Sequence, residues 1–225
     1  MERIEPKKPF WDLEENEGFI DVVARDGLKY KVWNTGSHQS IEKVANILSK
    51  SRRAINQLLA YMCRNRDEWK NDPIAFGIYL AFDIHAHKCG ESVLNDPNAV
   101  DLINTTTTRL FNYQEMTPNK YGILGLNKPK QTKYVSVMLD NKEIKYELAT
   151  RRSIFLTIRP KIEQNPELFD KPEKIFDLLI HEFAHTVCND TQWKQDNHKH
   201  PYNKYHNMII KFAERAGIKK DFLKN

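Results

Sequence analysis

The stretch from Asp170 to Ala216 decides the fold, and its centre reads His181-Glu182-Phe183-Ala184-His185. Two histidines four residues apart lie on one face of an α-helix, so their imidazoles can hold one metal ion between them. The pattern H-E-x-x-H is typical of zinc sites in which the glutamate acts as a general base towards a water activated by the metal. We therefore predict that His181 and His185 bind Zn²⁺ and that Glu182 is the catalytic carboxylate.

The residues around the motif predict a buried helix. The segment Asp170 to Glu173 has the form of a helix start, with Asp170 as the N-cap, a proline in the first turn and an acid three positions on. The residues that follow are apolar on most sides of a helix: Ile175, Phe176, Leu178, Leu179, Ile180, Phe183, Ala184 and Val187. A charged Glu182 in such a helix is costly unless it is paired or coordinated, which favours a metal site over a chance match.

The third protein ligand of the predicted zinc site has several candidates, because a catalytic site takes three ligands and keeps one position open. The longer signature H-E-x-x-H-x-x-G-x-x-H is disfavoured, since Cys188 and Thr191 stand where it needs Gly and His. Cys188 is expected to be a small buried residue rather than a thiolate ligand. The remaining candidates are Glu214 on a downstream helix, and His198 and His200 in the polar loop before that helix.

The spacing after the motif resembles that of the WLM/SprT-like, Spartan-related zincin metallopeptidases. In that family the motif is followed by a variable loop, a histidine, and an aromatic residue four positions later that opens a helix. His198 with Tyr202 fits this spacing, whereas His200 has Lys204 at the same distance. The resemblance therefore implies His198 as the third ligand, with His200 as the alternative.

The resemblance covers Leu124 to Ala216 and implies a zincin-like α+β fold, with a small mixed or antiparallel sheet and the H-E-x-x-H helix. The spacing of apolar residues adds a helical N-terminal part. The resemblance also implies a zinc metallopeptidase that hydrolyses peptide bonds, with protein or peptide substrates and with DNA or DNA-bound proteins as partners. The edge strand above the metal helix, here Ile123 to Asn127, would then pair with extended substrate. The compact, Asn- and Lys-rich chain further resembles proteins of large DNA viruses.

Two other functions fit the same residues. A non-catalytic structural or interaction protein with a zincin fold would close the metal site with His181, His185, His198 and His200, but it would have no need of Glu182. A metal-dependent hydrolase of non-peptide amides would use the catalytic groups named above on another substrate. The sequence alone does not identify the substrate.

Further side chains near the motif could assist the predicted reaction. Tyr202, Tyr205 or His206 could donate a hydrogen bond to a developing oxyanion, although each can equally be a core residue. Asp190 or Asp196 could orient a ligand imidazole. The spacing does not choose among these residues.

Composition and charge bound the class of protein. Of the 225 residues 40% are hydrophobic, which is enough for the core of one domain, and the net charge of +5 permits nucleic-acid contact without requiring it. Cys63, Cys89 and Cys188 are widely spaced and form no C-x-x-C pair, so we expect a reducing, intracellular setting, cytoplasmic or nuclear. The chain lacks a hydrophobic signal core and a long apolar run, which predicts a soluble protein with no membrane partner.

The whole chain, residues 1–225, is expected to form a single α+β domain with three parts. Residues 1–37 are predicted to hold an arm and a hairpin, residues 38–117 to be mainly helical, and residues 118–225 to hold a sheet and the zinc-binding core. The elements behind this division are a hairpin from Phe19 to Trp33 around Asp26-Gly27, helices from Ile41 to Trp69 and from Pro97 to Met116, a second hairpin from Tyr134 to Leu148, and a central strand from Ser153 to Arg159.

Overall fold

The computed structural model describes residues 18–65, 111–117, 124–139, 142–187 and 202–224. Within these ranges five strands form a mixed sheet that packs with four helices, so the predicted α+β class is confirmed. The strands are β1 (Phe19–Val23), β2 (Lys29–Trp33), β3 (Phe111–Glu115), β4 (Gly125–Leu139) and β5 (Lys142–Leu156). The helices are α1 (His38–Arg64), α2 (Pro172–Val187), α3 (Tyr202–Arg215) and α4 (Ile218–Leu223).

The sheet has the strand order β1-β2-β3-β5-β4 in the described part of the chain. β2, β3 and β5 run parallel to one another, while β1 is antiparallel to β2 and β4 is antiparallel to β5. Both predicted hairpins are confirmed. The strand predicted from Ser153 to Arg159 is not a separate element, because its first four residues are the end of β5; its predicted central position is confirmed, since β5 pairs with β3 and with β4.

Helix α1 confirms the first predicted helix, and it forms where the apolar residues recur every three to four positions. Ser37 is its N-cap, with Oγ accepting a hydrogen bond from the main-chain N of Ser40. The buried face is made of Ile41, Val44, Ala45, Leu48, Ile55, Leu58, Leu59 and Met62. The helix runs without a break to Arg64, so the polar run Ser49 to Arg53 does not bend it out of the α-helical range.

The helix predicted from Pro97 to Met116 is wrong at its end, where the chain forms strand β3. Phe111 and Tyr113 are buried while Asn112 between them is exposed, which is the alternation of a strand and not the spacing of a helix. β3 pairs with β5 along all five of its residues, and its other side meets β2. These non-local hydrogen bonds override the local pattern. Residues 97–110 lie outside the described ranges.

A buried ion pair joins the sheet to the start of α1. Nη2 of Arg159 lies 2.6 Å from Oε2 of Glu115, and both side chains are fully buried. The guanidinium also donates to the carbonyl oxygen of Trp33 and to Oγ of Ser40, at 2.9 and 3.0 Å. The ion pair therefore fixes β2, β3, the segment after β5 and the first turn of α1 relative to one another.

The core lies between the sheet and the helices, and α2 crosses it next to β4, β5 and α3. The rings of Phe111 on β3 and Phe183 on α2 contact each other with centres 6.3 Å apart. None of the described helices is both long enough and apolar enough to cross a membrane.

Candidate metal centre and active site

Helix α2 carries the H-E-x-x-H motif, and it begins one position later than the sequence predicts. Its first residue is Pro172, and the carbonyl oxygen of Lys171 accepts the hydrogen bond from N of Ile175, 3.1 Å away. The cap position therefore falls on Lys171, and the predicted Asp170 N-cap is wrong. Proline fits the first helical position because its missing N–H would have no partner there. The carboxylate of Asp170 instead lies 2.8 Å from Nζ of Lys174.

The motif lies in the last two turns of α2, where the helix is almost completely surrounded. Ile180, Phe183 and Ala184 are buried in the core, and Glu182 and His185 are buried beside them. His181 is partly exposed. The predicted burial of this helix is confirmed, and the motif presents its polar side chains on the remaining side.

The two histidines face each other across one helical turn, as their spacing predicts. Their ring centres are 5.1 Å apart, and the ring planes are inclined by 75°. Two imidazoles that bind one tetrahedral Zn²⁺ through nitrogen at about 2.0–2.1 Å have ring centres about 5 Å apart. The observed separation of His181 and His185 therefore fits a shared zinc ion without rearrangement of the helix.

Glu182 is a buried carboxylate, with 4% of the residue exposed. Burial raises its pKa from the ordinary 4.5 to about 8, because the charged form loses its hydration. In the absence of a cation the carboxyl therefore holds a proton at neutral pH. A divalent ion on the neighbouring histidines would favour the charged form and lower this pKa, so the carboxylate suits a metal-containing site.

Strand β4 lies directly against Glu182. A Cβ atom added to Gly125 would be 2.5 Å from Oε1 of Glu182, which is closer than real contacts allow. The Nδ2 atom of Asn127, two residues further on, donates a hydrogen bond of 2.5 Å to the main-chain oxygen of Glu182. The predicted edge strand Ile123 to Asn127 is thus confirmed as an edge from Gly125 onward, since β4 is the last strand of the described sheet. Ile123 lies outside the described residues.

Helix α3 closes the other side of the motif, and its first residue is the aromatic that the family spacing requires. Tyr202 is buried, and its ring centre lies 4.6 Å from that of His185 and 5.3 Å from that of His181. Its hydroxyl donates to the main-chain oxygen of His181 at 3.0 Å. Tyr202 therefore braces the helical turn that carries the motif, and its hydroxyl points to the main chain rather than to a position for an oxyanion.

Of the other two residues expected to reach an oxyanion, His206 has a ring contact with the motif. Its ring centre is 6.0 Å from that of His181, and its ring stacks on Tyr202 at 5.7 Å. Tyr205 packs against the hydrophobic core. His206 is therefore a second side chain of α3, after Tyr202, that lies beside the motif.

No third ligand for the predicted zinc site is found among the residues that the structure describes. His198 and His200 lie outside the described ranges, as do Cys188, Thr191, Asp190 and Asp196. In the described ranges no group of three or more His, Cys, Asp or Glu side chains has an arrangement that could hold a metal. Glu214 is exposed, and it lies twelve positions after Tyr202 on α3, which corresponds to a rise of about 18 Å along the helix. The structure thus disfavours Glu214 and leaves His198 and His200 as predictions.

The sequence pointed to Ile123 to Asn127 as an edge strand for substrate, but it did not reveal that Gly125 and the side chain of Asn127 contact Glu182. The available signal was weak: a glycine and an asparagine two positions apart in a strand share one face of the sheet. Nothing local shows that this face lies against Glu182, which is 55 residues further along the chain from Asn127.

Comparison of the chain with protein-family models, with curated proteins and with solved structures gives no significant match.

Proposed function

We propose that this protein is a zinc-dependent metallopeptidase of the zincin type, related to the WLM/SprT-like family. His181 and His185 bind the metal, His198 completes the ligand set with His200 as the alternative, and Glu182 is the general base. The observation that carries the proposal is a buried carboxylate on the same helical turn as two histidines whose ring centres are 5.1 Å apart. A purely structural metal site would gain nothing from burying Glu182, because burial of an uncoordinated carboxylate destabilises the fold.

The residues of the chain would perform general acid–base catalysis. Zn²⁺, when bound, supplies a Lewis acid that acidifies a water and polarises a peptide carbonyl. Glu182 accepts a proton from the attacking water and later gives it to the leaving amine nitrogen, so the carboxylate returns to its starting state. His206, whose ring lies near that of His181, would donate a hydrogen bond to the oxygen that becomes negative in between. Burial of Glu182 keeps other water away from the proton in transit.

The edge of the sheet supports an extended peptide as the substrate. The main-chain N of Thr157 donates to the carbonyl oxygen of Leu124 at 2.9 Å, so these two residues form a hydrogen-bonded antiparallel pair. Gly125, which stands opposite Leu156, is in the following non-hydrogen-bonded pair and directs its main-chain N–H and C=O away from β5. A peptide strand added along β4 would use these groups and would run next to Glu182.

The zincin assignment rests on the same arrangement. An antiparallel edge strand lies beside the H-E-x-x-H helix, and the following helix opens with an aromatic residue against the motif. The net charge of +5 permits substrates that lie on DNA, because a basic protein is attracted to the phosphate backbone. Addition of duplex DNA should therefore increase cleavage of a DNA-bound protein, and 0.5 M salt should remove that increase.

The direct test is peptide hydrolysis by zinc-loaded protein with and without the general base. Glu182→Gln keeps the size of the side chain but cannot accept the proton, so turnover should fall by about 10²–10⁴ while the bound zinc is retained. Glu173→Gln, in the exposed first turn of the same helix, is the matched control and should retain full activity.

Two results would contradict the proposal. Zinc-loaded wild type that cleaves neither peptides nor DNA-bound proteins would favour the non-catalytic zinc-binding protein. Hydrolysis of small amides but not of peptides, lost in Glu182→Gln, would favour the non-peptide amidohydrolase.

A further inference from the structure

The first residue of β4 occupies a position where an added Cβ would require the side chain of Glu182 and that of Leu178 to shift. A Cβ on Gly125 would lie 2.5 Å from Oε1 and 2.9 Å from Cδ of Glu182, and 2.8 Å from Cδ1 of Leu178. The backbone of Gly125 does not need a glycine, because its φ lies outside the left-handed region that disfavours L-residues. The missing side chain therefore has a spatial reason, which is the carboxylate of Glu182.

The second contact between β4 and Glu182 comes from Asn127, on the same face of the strand. Its side chain is buried, and Nδ2 donates to the main-chain oxygen of Glu182. The strand thus restricts the space open to the carboxylate of Glu182 through Gly125, and it holds the main chain of Glu182 through Asn127. Both contacts are made to the residue between the two histidines, and neither is made to the histidines themselves.

We infer that Gly125 and Asn127 are positioning residues for Glu182, which set the place of the carboxylate relative to a peptide held along β4. The inference rests on the proposed function for its catalytic meaning, whereas the contacts themselves do not depend on it. Gly125 also directs its main-chain groups to the outer edge of β4. The same residue therefore restricts the space open to the carboxylate of Glu182 and would bind the substrate. The main chain of Gly125 would then set the distance between the carboxylate of Glu182 and the carbonyl carbon that is attacked. The overall packing of helix α2 on the sheet would not set it.

A short fixed path matters because reaction rates depend steeply on the position of reacting groups. A displacement of about 1 Å can lower a rate about 100-fold. Gly125→Ala forces Oε1 of Glu182 or the strand to move by a fraction of that distance or more, since an ordinary carbon–oxygen contact is about 3.4 Å or longer. Asn127→Ala does not change the space around the carboxylate of Glu182. It removes the hydrogen bond that holds the main chain of Glu182 to β4.

The first experiment is a double-mutant cycle on stability, which needs no enzymatic assay. Gly125→Ala is combined with Glu182→Ala, and the urea midpoint of each protein is measured without metal. We expect Gly125→Ala to lower the midpoint in wild type and to lower it less in the Glu182→Ala background, where the closest contact is gone and the contact with Cδ1 of Leu178 remains. Leu178→Ala serves as the matched background, and it should relieve a smaller part of the loss than Glu182→Ala does. Equal losses in wild type and in Glu182→Ala, or relief by Leu178→Ala alone, would overturn the inference.

The second experiment separates a positioning role from a general loss of stability. Zinc-loaded Gly125→Ala should hydrolyse peptides with kcat lowered by about 100-fold and with zinc content unchanged, and Asn127→Ala should lower kcat in the same direction. KM should change less than kcat, because the main-chain groups of β4 remain. Gly27→Ala is the control: it strains a turn residue at φ 77° with no atom near the added Cβ, so it destabilises the hairpin without changing kcat.

The outcomes distinguish this inference from the proposed function. Wild-type kcat in Gly125→Ala, with an active wild type, would refute the positioning role and leave the peptidase assignment intact. Coupling in the stability cycle together with an inactive wild type would keep the contact and refute the peptidase.

Discussion

The pKa of Glu182 makes a prediction about stability that can be measured without any substrate. In the metal-free folded protein the pKa is raised from the ordinary 4.5 to about 8 by burial. The folded protein therefore keeps a proton that the unfolded chain releases. This retained proton stabilises the folded state relative to the unfolded chain. The stabilisation is fully present below pH 4.5 and is lost as the pH rises towards 8.

The size of the effect follows from the two pKa values. Each pH unit between them corresponds to about 1.36 kcal/mol, so the free energy of unfolding should fall by about 4 kcal/mol between pH 5 and pH 8. The amide of Glu182→Gln resembles the protonated carboxyl and does not titrate. This variant should therefore lack that part of the pH dependence, and at pH 8 it should be more stable than wild type by up to about 4 kcal/mol.

Urea unfolding of wild type and Glu182→Gln, with a chelator present and at half-unit steps from pH 5 to pH 8.5, measures the difference. The two proteins differ only at residue 182, so the contributions of the other groups largely cancel in the comparison. The exposed Glu173→Gln should follow the wild-type curve. Parallel curves for wild type and Glu182→Gln would refute the reasoning, because they would mean that the carboxyl of Glu182 ionises equally in the folded and unfolded states.

Three further changes test the packing around the site. Phe183→Ala removes a fully buried ring and should lower the free energy of unfolding by about 3–5 kcal/mol in urea unfolding; a loss below about 1 kcal/mol would contradict its place in the core. Arg159→Met leaves Glu115 buried without its partner and should lower stability by about 3–5 kcal/mol at pH 7, and adding Glu115→Leu should recover part of that loss. Tyr202→Phe removes the hydrogen bond to the main chain of His181 and should lower stability by about 1 kcal/mol with the aromatic circular dichroism retained; no loss would show that the bond does not brace the turn.

Elements with a strong local pattern could be predicted from the sequence. The three- and four-residue spacing of Ile41, Val44 and Leu48 identified α1, and the apolar run around His181 identified α2 as buried. The Asp26-Gly27 turn identified the first hairpin, in which Gly27 has a φ of 77°. In each case the residues that form the element are neighbours in the chain, so their propensities and spacing carry the information.

Features made by distant residues could not be predicted. β3 is five residues long and is held on both sides by pairing with β2 and β5, so Phe111 to Glu115 carries little signal of its own. The partners Glu115 and Arg159 are 44 positions apart, and the sequence around each one predicts only an ordinary surface charge. Gly125 has the same difficulty, because the reason for a glycine there is the carboxylate of Glu182 on another element. The histidine pair was the exception, since its geometry is set within one helical turn.

Zinc stoichiometry is the measurement that tests the central claim most directly. Elemental analysis would be made on wild type, His181→Ala, His198→Ala and His200→Ala, with the exposed His38→Ala as the control. We predict about one zinc per chain in wild type and in His38→Ala, lost with His181 and with His198 but kept in His200→Ala, as a three-ligand catalytic site requires. Absence of zinc from metal-replete wild type would contradict the account, and zinc that needs both His198 and His200 would identify a closed, structural site instead.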